Sequence, residues 1–278
     1  MKLPGYWFSQ NPDKAWGEKF FLVFIPIFFA YNALVQRMGW LDVGNGWHLA
    51  QNLIMWLPYC VLLPLWLRRN SGVRWRDSFW FKLNVYMTVY VFFATYFHTE
   101  YFFDILGMRY RFPQVTWYAD SFLLGPDEAV AFAAHKKVPV GMYFNAIAFF
   151  LIYHSASVVC LRRVRTLTAD KGPLLRPVLW IITVALTAFF FAWAETFFYI
   201  NSAATANVWY VDKARQLGLG SVCYALYFIV SFPNVYRLDE NPAAAPWSLA
   251  RCVIEASFVS MLVLLLLDLF AWIVGPLA

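Results

Sequence analysis

Residues 177–200, PVLWIITVALTAFFFAWAETFFYI, form an apolar run in which Glu195 is the one charged side chain. A helix needs roughly 20 mostly apolar residues to cross the hydrocarbon core of a bilayer. The run is continuous and does not alternate with polar residues, and a segment in lipid must satisfy its backbone internally. We therefore predict a transmembrane helix here.

The rest of the chain has the composition of a membrane protein. Of its 278 residues, 62% are hydrophobic and 14% are charged, whereas soluble proteins average roughly 45–50% and about 25%. Six further apolar runs of similar length lie at about 20–36, 48–67, 79–98, 142–161, 217–236 and 250–274. The sequence predicts an all-α integral membrane protein, a bundle of about seven transmembrane helices that forms a single polytopic domain over residues 1–278.

The basic residues are unevenly divided between the two faces of such a bundle. Fifteen of the 22 Lys and Arg residues lie at the N-terminus and in the second, fourth and sixth connections. The positive-inside rule then places the N-terminus in the cytoplasm and the C-terminus outside. This topology accounts for the net charge of +6, so we expect no nucleic-acid partner. The four cysteines lack metal-ligand spacing, and we expect no metal site.

The longest polar connection covers about 107–141 and is rich in Pro, Asp and Lys. Loops of this length are uncommon in compact proteins unless they carry a function. Two interpretations remain open: a lid over a cavity mouth, or a solvated connector.

Carboxyl groups inside predicted spans are the main candidates for chemistry, because a charge at a helix centre costs about 2.5–3.5 kcal/mol on insertion scales. Glu195, Glu100 and Asp268 fall at a similar depth in the outer leaflet under the predicted topology. They could share one polar pocket, or they could be three independent interface residues.

Glu195 has the most apolar sequence neighbours, namely Phe191, Trp193, Phe197 and Phe198. Burial disfavours the charged form of a carboxylic acid, so this group could stay protonated and act as a general acid. Aromatic faces attract cations. The combination suggests protonation of carbon and a carbocation intermediate.

The histidines give weaker signals. His98 lies beside Glu100, so an acid–imidazole relay is possible, and serines flank His154, as expected for a hydrogen-bonded interior histidine. His98 and His154 could also face each other as haem ligands.

Several motifs carry a resemblance to a known family. They are NPDKAWGEKFF (11–21), WRDSFWFKLN (75–84), TYFHTEYFFDILGMRYRFP (95–113), YHSAS (153–157), LRRVR (161–165), AETFF (194–198), YVDKARQLGLGSVCYALYFIVSFPNVYRLDE (210–240) and LDLF (267–270). Together they run collinearly over nearly the whole chain and resemble the cycloeucalenol cycloisomerase family.

The resemblance implies an enzyme of sterol biosynthesis, an isomerase that opens the 9β,19-cyclopropane ring of cyclosterols and converts cycloeucalenol to obtusifoliol. The reaction needs one proton delivered to the bridging carbon, a tertiary cation, and one proton removed from the neighbouring ring carbon. The resemblance implies no redox cofactor, because the reaction is an isomerisation. The substrate would enter sideways from the membrane lipid, in the endoplasmic reticulum of a eukaryote or the inner membrane of a bacterium.

Residue roles follow the matched motifs. Glu195 of AETFF is the leading acid, and Asp212, Glu100 or His154 would be the base or would orient it. The expected substrate-binding residues are Tyr96, His98, Trp193, Tyr199 and Tyr227.

The sequence departs from the family pattern at YFHTEYFF (96–103), where plant members resemble YFWTHYFF. This departure favours an alternative, a membrane sterol or lipid carrier or sensor without catalysis. A small proton-coupled transporter or a haem-binding membrane subunit is a third possibility.

Overall fold

The computed structural model describes residues 6–119, 138–201 and 203–275. Within these residues the chain is mainly helical, with two short strands, β1 (Met108–Tyr110) and β2 (Val208–Tyr210). The helices in chain order are α1 (Pro12–Arg37), α2 (Asn45–Leu57), α3 (Leu63–Leu67), α4 (Phe79–Phe93), α5 (Thr99–Asp104), α6 (Val140–Leu167), α7 (Leu175–Asn201), α8 (Lys213–Arg215), α9 (Ser221–Arg237) and α10 (Leu249–Val274).

All seven predicted spans are helical. Six helical runs are long and apolar enough to cross a membrane: Pro12–Arg37, Asn45–Leu67, Val140–Leu167, Leu175–Asn201, Lys213–Arg237 and Leu249–Val274. The seventh consists of α4, a π-helical turn and α5. The predicted fold class, an all-α membrane protein with about seven spanning helices, is confirmed.

π-Helical turns interrupt three of these runs, at Pro58–Leu62, Ala94–His98 and Gln216–Gly220. Such turns insert one extra residue into a helix and occur frequently at functional sites. In the third turn, a Cβ on Gly220 would collide with the amide of the buried Gln216 side chain, so a larger residue there would displace that amide.

Local signals set the helix ends. Asn11 caps α1 by accepting the backbone N–H of Asp13 at 3.0 Å, and Pro12 occupies the first helical position; both residue types are preferred at these places. Ser248 caps α10 in the same way, accepting the N–H of Arg251 at 3.1 Å.

Helix α6 is the centre of the bundle. It is largely buried and packs against α1, α2, α4, α7 and α9. Around it, α7 packs along α9 and α10 packs along α4. The outer faces of α7 and α10 expose apolar side chains such as Ile181, Leu186 and Ile254, as expected for surfaces in lipid.

The two strands join connections that are far apart in the chain. They pair antiparallel, with Met108 opposite Tyr210 and Tyr110 opposite Val208. The beginning of the predicted long connection is thus part of a small ribbon. Residues 120–137 of that connection lie outside the described part of the chain.

An ion cluster of Lys14, Glu18, Arg162 and Glu240 lies at the opposite end of the bundle from the ribbon. The Arg162 guanidinium is buried and donates to both carboxylates, with Nη2 at 2.5 Å from Glu18 Oε1 and 2.6 Å from Glu240 Oε2. Lys14 Nζ lies 3.0 Å from Glu240 Oε2. The cluster joins α1 and α6 to the segment after α9.

A second buried pair extends this connection to α4. Lys82 Nζ donates to Asp239 Oδ2 at 2.7 Å, while Asp239 Oδ1 accepts the N–H of Trp247 at 2.7 Å. Asp239 has a left-handed backbone with φ +48°, and these two bonds hold it there. Lys14 also donates to the carbonyl oxygen of Leu238 at 2.6 Å.

Removing the cation at the centre of the cluster should strongly destabilise the fold. In Arg162→Gln, the buried Glu18 and the half-buried Glu240 lose their main partner, and breaking a buried pair in this way costs about 3–5 kcal/mol. Thermal unfolding in detergent measures the loss. Arg69→Gln, which removes an exposed arginine from the same face, should change stability by about 0.5 kcal/mol or less. Equal melting temperatures for the two variants would contradict a structural role of the cluster.

The contribution of Glu240 to stability should depend on pH. Burial alone would raise the pKa of Glu240, but hydrogen bonds from Arg162 and the charge of Lys14 outweigh it and lower that pKa below its ordinary value. A lowered folded-state pKa stabilises the protein above the unfolded-state pKa, about 4.3, and the effect is lost as pH falls through the folded value. The gap in melting temperature between the parent and Glu240→Gln should therefore be large at pH 7 and shrink below about pH 4. A gap that does not change with pH would contradict this.

Candidate active site

A cavity with about 730 Å³ of empty space lies between α5, α6, α7 and α9. The ribbon forms part of its wall, through Met108 and Tyr110 of β1 and Val208 and Tyr210 of β2. We call it the central cavity. Its lining is mostly apolar or aromatic, with a few polar groups that include Thr95, Thr99, Asn145 and Glu195. Its lining is typical of sites for small apolar ligands.

Glu195 is the one carboxyl group in this lining among the described residues. The hydroxyl of Tyr224 donates a hydrogen bond to Glu195 Oε2 at 2.6 Å. The hydroxyl of Tyr153 lies within hydrogen-bonding reach of the same carboxyl. In the described part of the chain, no lysine, arginine or histidine forms a salt bridge with Glu195, so its polar partners are neutral.

Tyrosines surround this carboxyl on several sides. We call the following five the tyrosine cluster: Tyr110, Tyr153, Tyr199, Tyr210 and Tyr224. Burial, with a further contribution from Glu195, raises the pKa of the Tyr110 and Tyr210 hydroxyls in the ribbon. These two hydroxyls therefore remain neutral at physiological pH and can act as hydrogen-bond donors.

The position of Glu195 on α7 explains which neighbours it has. Residues three or four positions apart share a helix face, so Phe198 and Tyr199 lie on the same side as Glu195. Trp193 and Phe197 are two positions away and fall on the other side, where their rings stack at 5.0 Å and are exposed. Trp193 and Phe197 therefore do not surround the Glu195 carboxyl as predicted. Trp193 also does not line the central cavity.

The predicted pocket of three carboxylates is not formed. Glu100 is buried on α5 but does not line the central cavity. Asp268 is exposed on α10, and its Oδ1 accepts a hydrogen bond from the Tyr101 hydroxyl at 3.3 Å. The three acids thus lie in separate surroundings, and only Asp268 is exposed, so neither a shared pocket nor three interface residues describes them.

The other two candidate bases make hydrogen bonds to residues that do not line the central cavity, apart from the backbone of Phe150. Asp212 caps α8 by accepting the backbone N–H of Arg215 at 3.0 Å. His154 is fully buried, with Nδ1 2.7 Å from the carbonyl oxygen of Phe150 and Nε2 2.7 Å from Ser231 Oγ. Because a carbonyl can only accept, Nδ1 carries the proton and Nε2 accepts from the serine. Both nitrogens are engaged, as the interior-histidine interpretation predicts and the haem interpretation does not.

The expected substrate-binding residues divide into two groups. Tyr199 and Tyr227 line the central cavity. His98 is buried behind this lining, where its ring packs 5.2 Å from that of Tyr227. Tyr96 stacks on Phe92, an exposed residue of α4, at 5.4 Å and lies outside the cavity.

The sequence interpretation missed four members of the tyrosine cluster: Tyr110, Tyr153, Tyr210 and Tyr224. Tyr224 could have been found from its spacing, since it lies three residues before Tyr227 on one face of α9. Tyr110 and Tyr210 are 100 positions apart and meet only through the ribbon. No local pattern in the sequence indicates that pairing.

This arrangement suits proton transfer to an apolar molecule. A buried acid without a cationic partner favours its neutral, proton-donating form. The tyrosine hydroxyls can stabilise the carboxylate that remains, and aromatic faces can stabilise a positive charge on the ligand. Among the described residues, no group of three or more His, Cys, Asp or Glu side chains could hold a metal ion.

Comparison with known proteins gives one informative match. No protein-family model and no solved structure matches the chain. A curated protein of Arabidopsis thaliana named cycloeucalenol cycloisomerase is 32% identical over 282 aligned residues, which cover 98% of this chain and 91% of the relative. The alignment thus extends over essentially all of the spanning helices and the segments that line the central cavity. The chain belongs to the cycloeucalenol cycloisomerase family.

Proposed function

We propose that the protein is a sterol isomerase that opens the 9β,19-cyclopropane ring of cyclosterols, as in the conversion of cycloeucalenol to obtusifoliol. Family membership supports the substrate class. The observation that carries the mechanism is Glu195, a buried carboxyl held by tyrosine hydroxyls in the wall of an apolar cavity. No redox cofactor takes part in the proposed reaction, because an isomerisation changes no overall oxidation state.

In the first step Glu195 donates its proton to the bridging carbon. One cyclopropane carbon–carbon bond breaks, and its electron pair forms the new carbon–hydrogen bond, which leaves a tertiary cation on the ring. The Tyr224 hydroxyl, 2.6 Å from Oε2, then stabilises the carboxylate. A donor already oriented towards a developing charge lowers the barrier without further rearrangement.

In the second step a base removes a proton from the neighbouring ring carbon, and that electron pair forms the ring double bond. Asp212, Glu100 and His154 were the expected bases, but none of them lines the central cavity. We assign the step to the Glu195 carboxylate, the one carboxylate in the lining among the described residues. The acid is thereby restored for the next turnover.

The remaining lining binds the substrate. Aromatic side chains, including Tyr199 and Tyr227, contact the fused rings, and the polar groups of Thr95, Thr99 and Asn145 provide partners for a sterol hydroxyl. The chain is a multi-pass membrane protein, and we place it in the endoplasmic reticulum. The relative is eukaryotic, so the bacterial inner membrane has no support.

A sterol carrier or sensor without catalysis is the second candidate. The absence of a second carboxylate from the described lining favours it, since binding needs no separate base. Purified protein incubated with a 9β,19-cyclosterol and analysed by chromatography with mass detection distinguishes the two functions. Ring-opened product supports the isomerase, and tight binding without product supports the carrier.

Replacing the proposed acid should abolish turnover. We expect Glu195→Gln to fold normally and to lose about 10²–10⁴ in kcat, the usual contribution of a general acid or base. The matched control is Asp268→Asn, which neutralises an acid of another span that does not line the cavity and should keep parental activity. Parental turnover by Glu195→Gln would refute the assignment.

Removing the hydrogen bond from Tyr224 should weaken catalysis more than binding. A hydrogen bond to a charged group contributes about 1.5–3 kcal/mol, so Tyr224→Phe should lower kcat by about 10–100-fold with little change in KM. Tyr101→Phe loses a hydroxyl that contacts Asp268 instead and serves as the control. Equal kcat values for the two variants would show that Tyr224 does not support the acid.

A further inference from the structure

A second opening reaches Glu195 from the membrane side of the bundle. A crevice with about 570 Å³ of empty space lies between α1, α6 and α7. We call it the lipid crevice. Its walls are almost entirely apolar, and Phe190 at its edge is 58% exposed. Since the outer face of α7 is covered with apolar side chains, this crevice faces the hydrocarbon of the membrane.

The lipid crevice and the central cavity share two lining residues, Phe149 and Glu195. The ring of Phe149 lies 6.0 Å from that of Tyr199, which lines the cavity, and 5.7 Å from that of Tyr153, which lines the crevice. Phe149 therefore forms part of the partition between the two spaces. Because Phe149 lines both spaces, rotation of its ring is the smallest movement that could join them.

We propose that the lipid crevice is the entry and staging site for the substrate, a flat polycyclic alcohol dissolved in the membrane, and that Phe149 controls its passage to the central cavity. This proposal rests on the proposed function for the identity of the substrate. The observation that carries it is that Glu195 lies in the walls of both spaces, with Phe149 between them. A molecule that leaves the lipid through this crevice meets Glu195 without crossing water.

The chemistry of the crevice fits this occupant. Among the described residues its polar side chains are Glu195 and Tyr153, so this lining offers no basic group that would bind a phospholipid headgroup. Phe198 of α7 and Phe29 of α1 pack at 6.0 Å across its mouth. Two aromatic edges of this kind suit a rigid ring system.

Blocking the crevice should slow entry and leave the chemical step intact. Ala194 lines the crevice but not the central cavity, so Ala194→Trp fills the crevice. Leu186→Trp adds the same ring to a 65% exposed site on the same helix that lines neither space. Both proteins are reconstituted into phosphatidylcholine vesicles with increasing mole fractions of a 9β,19-cyclosterol.

We expect Ala194→Trp to raise the mole fraction needed for half-maximal rate several-fold, while Leu186→Trp matches the parent. A single turnover of sterol bound before reconstitution should proceed at the parental rate in both variants. Equal half-maximal mole fractions for all three proteins would overturn the proposal. If Ala194→Trp fails to fold, Phe29→Trp is used in its place, because it narrows the same crevice from α1.

A binding measurement separates this proposal from the proposed function. In vesicles, a sterol with a photoreactive diazirine should label the α7 segment 190–198 in the parent and label it less in Ala194→Trp. Excess cyclosterol should reduce the labelling. This labelling can be measured even if the parent protein opens no ring. Such a result would refute the proposed isomerase function and leave the proposed entry site standing. If ordinary phospholipid reduces the labelling as effectively as cyclosterol does, the crevice is a general contact for acyl chains. That result would overturn the proposal.

Discussion

The fold depends on a guanidinium group held between two carboxylates inside an apolar bundle. Arg162, at the end of the central helix α6, binds Glu18 of α1 and Glu240 after α9. Desolvating three charges is expensive, and only near-ideal geometry with further hydrogen bonds offsets that cost. Here the geometry is provided by bidentate contacts, by Lys14 and by backbone carbonyls. Because membrane helices gain little from apolar contacts with each other compared with lipid, such polar contacts define how the helices are arranged.

The environment of Glu195 differs from that of the ion cluster, because its hydrogen-bond partners are neutral. The buried carboxylates of Glu18 and Asp239 and the half-buried one of Glu240 each have a cationic partner, whereas Glu195 has hydroxyl groups. A carboxylate with a cationic partner is stabilised in its charged form and is a poor proton donor. A carboxyl with neutral partners can hold its proton and release it to a substrate. The contrast between these two environments within one chain separates the structural acids from the candidate catalytic one.

The sequence predicted the spans well because the energetic signal for a membrane helix, a long apolar run, is local. Three of the residues that it named, Glu195, Tyr199 and Tyr227, line the cavity, and their roles stay predictions. It failed for Trp193 because neighbours in sequence are not neighbours on a helix face. Asp212 and His154 satisfy local hydrogen bonds, which residue type alone does not reveal. Motif residues such as Lys14, Glu18, Arg162 and Glu240 belong to the ion cluster, so a motif can reflect the assembly of a fold as much as its chemistry.

The small β-ribbon has a consequence for the exchange of protons between the acid and water. Only three residue pairs join its strands, and a two-stranded ribbon has little stability of its own. Elements of this kind open locally at a much lower free energy than that of global unfolding. Each such fluctuation would move Tyr110 and Tyr210 away from the acid and admit water from the aqueous side, without movement of the spanning helices. Glu195 would then exchange its proton with bulk water on the side of the β-ribbon, while the apolar substrate arrives from the membrane through the lipid crevice.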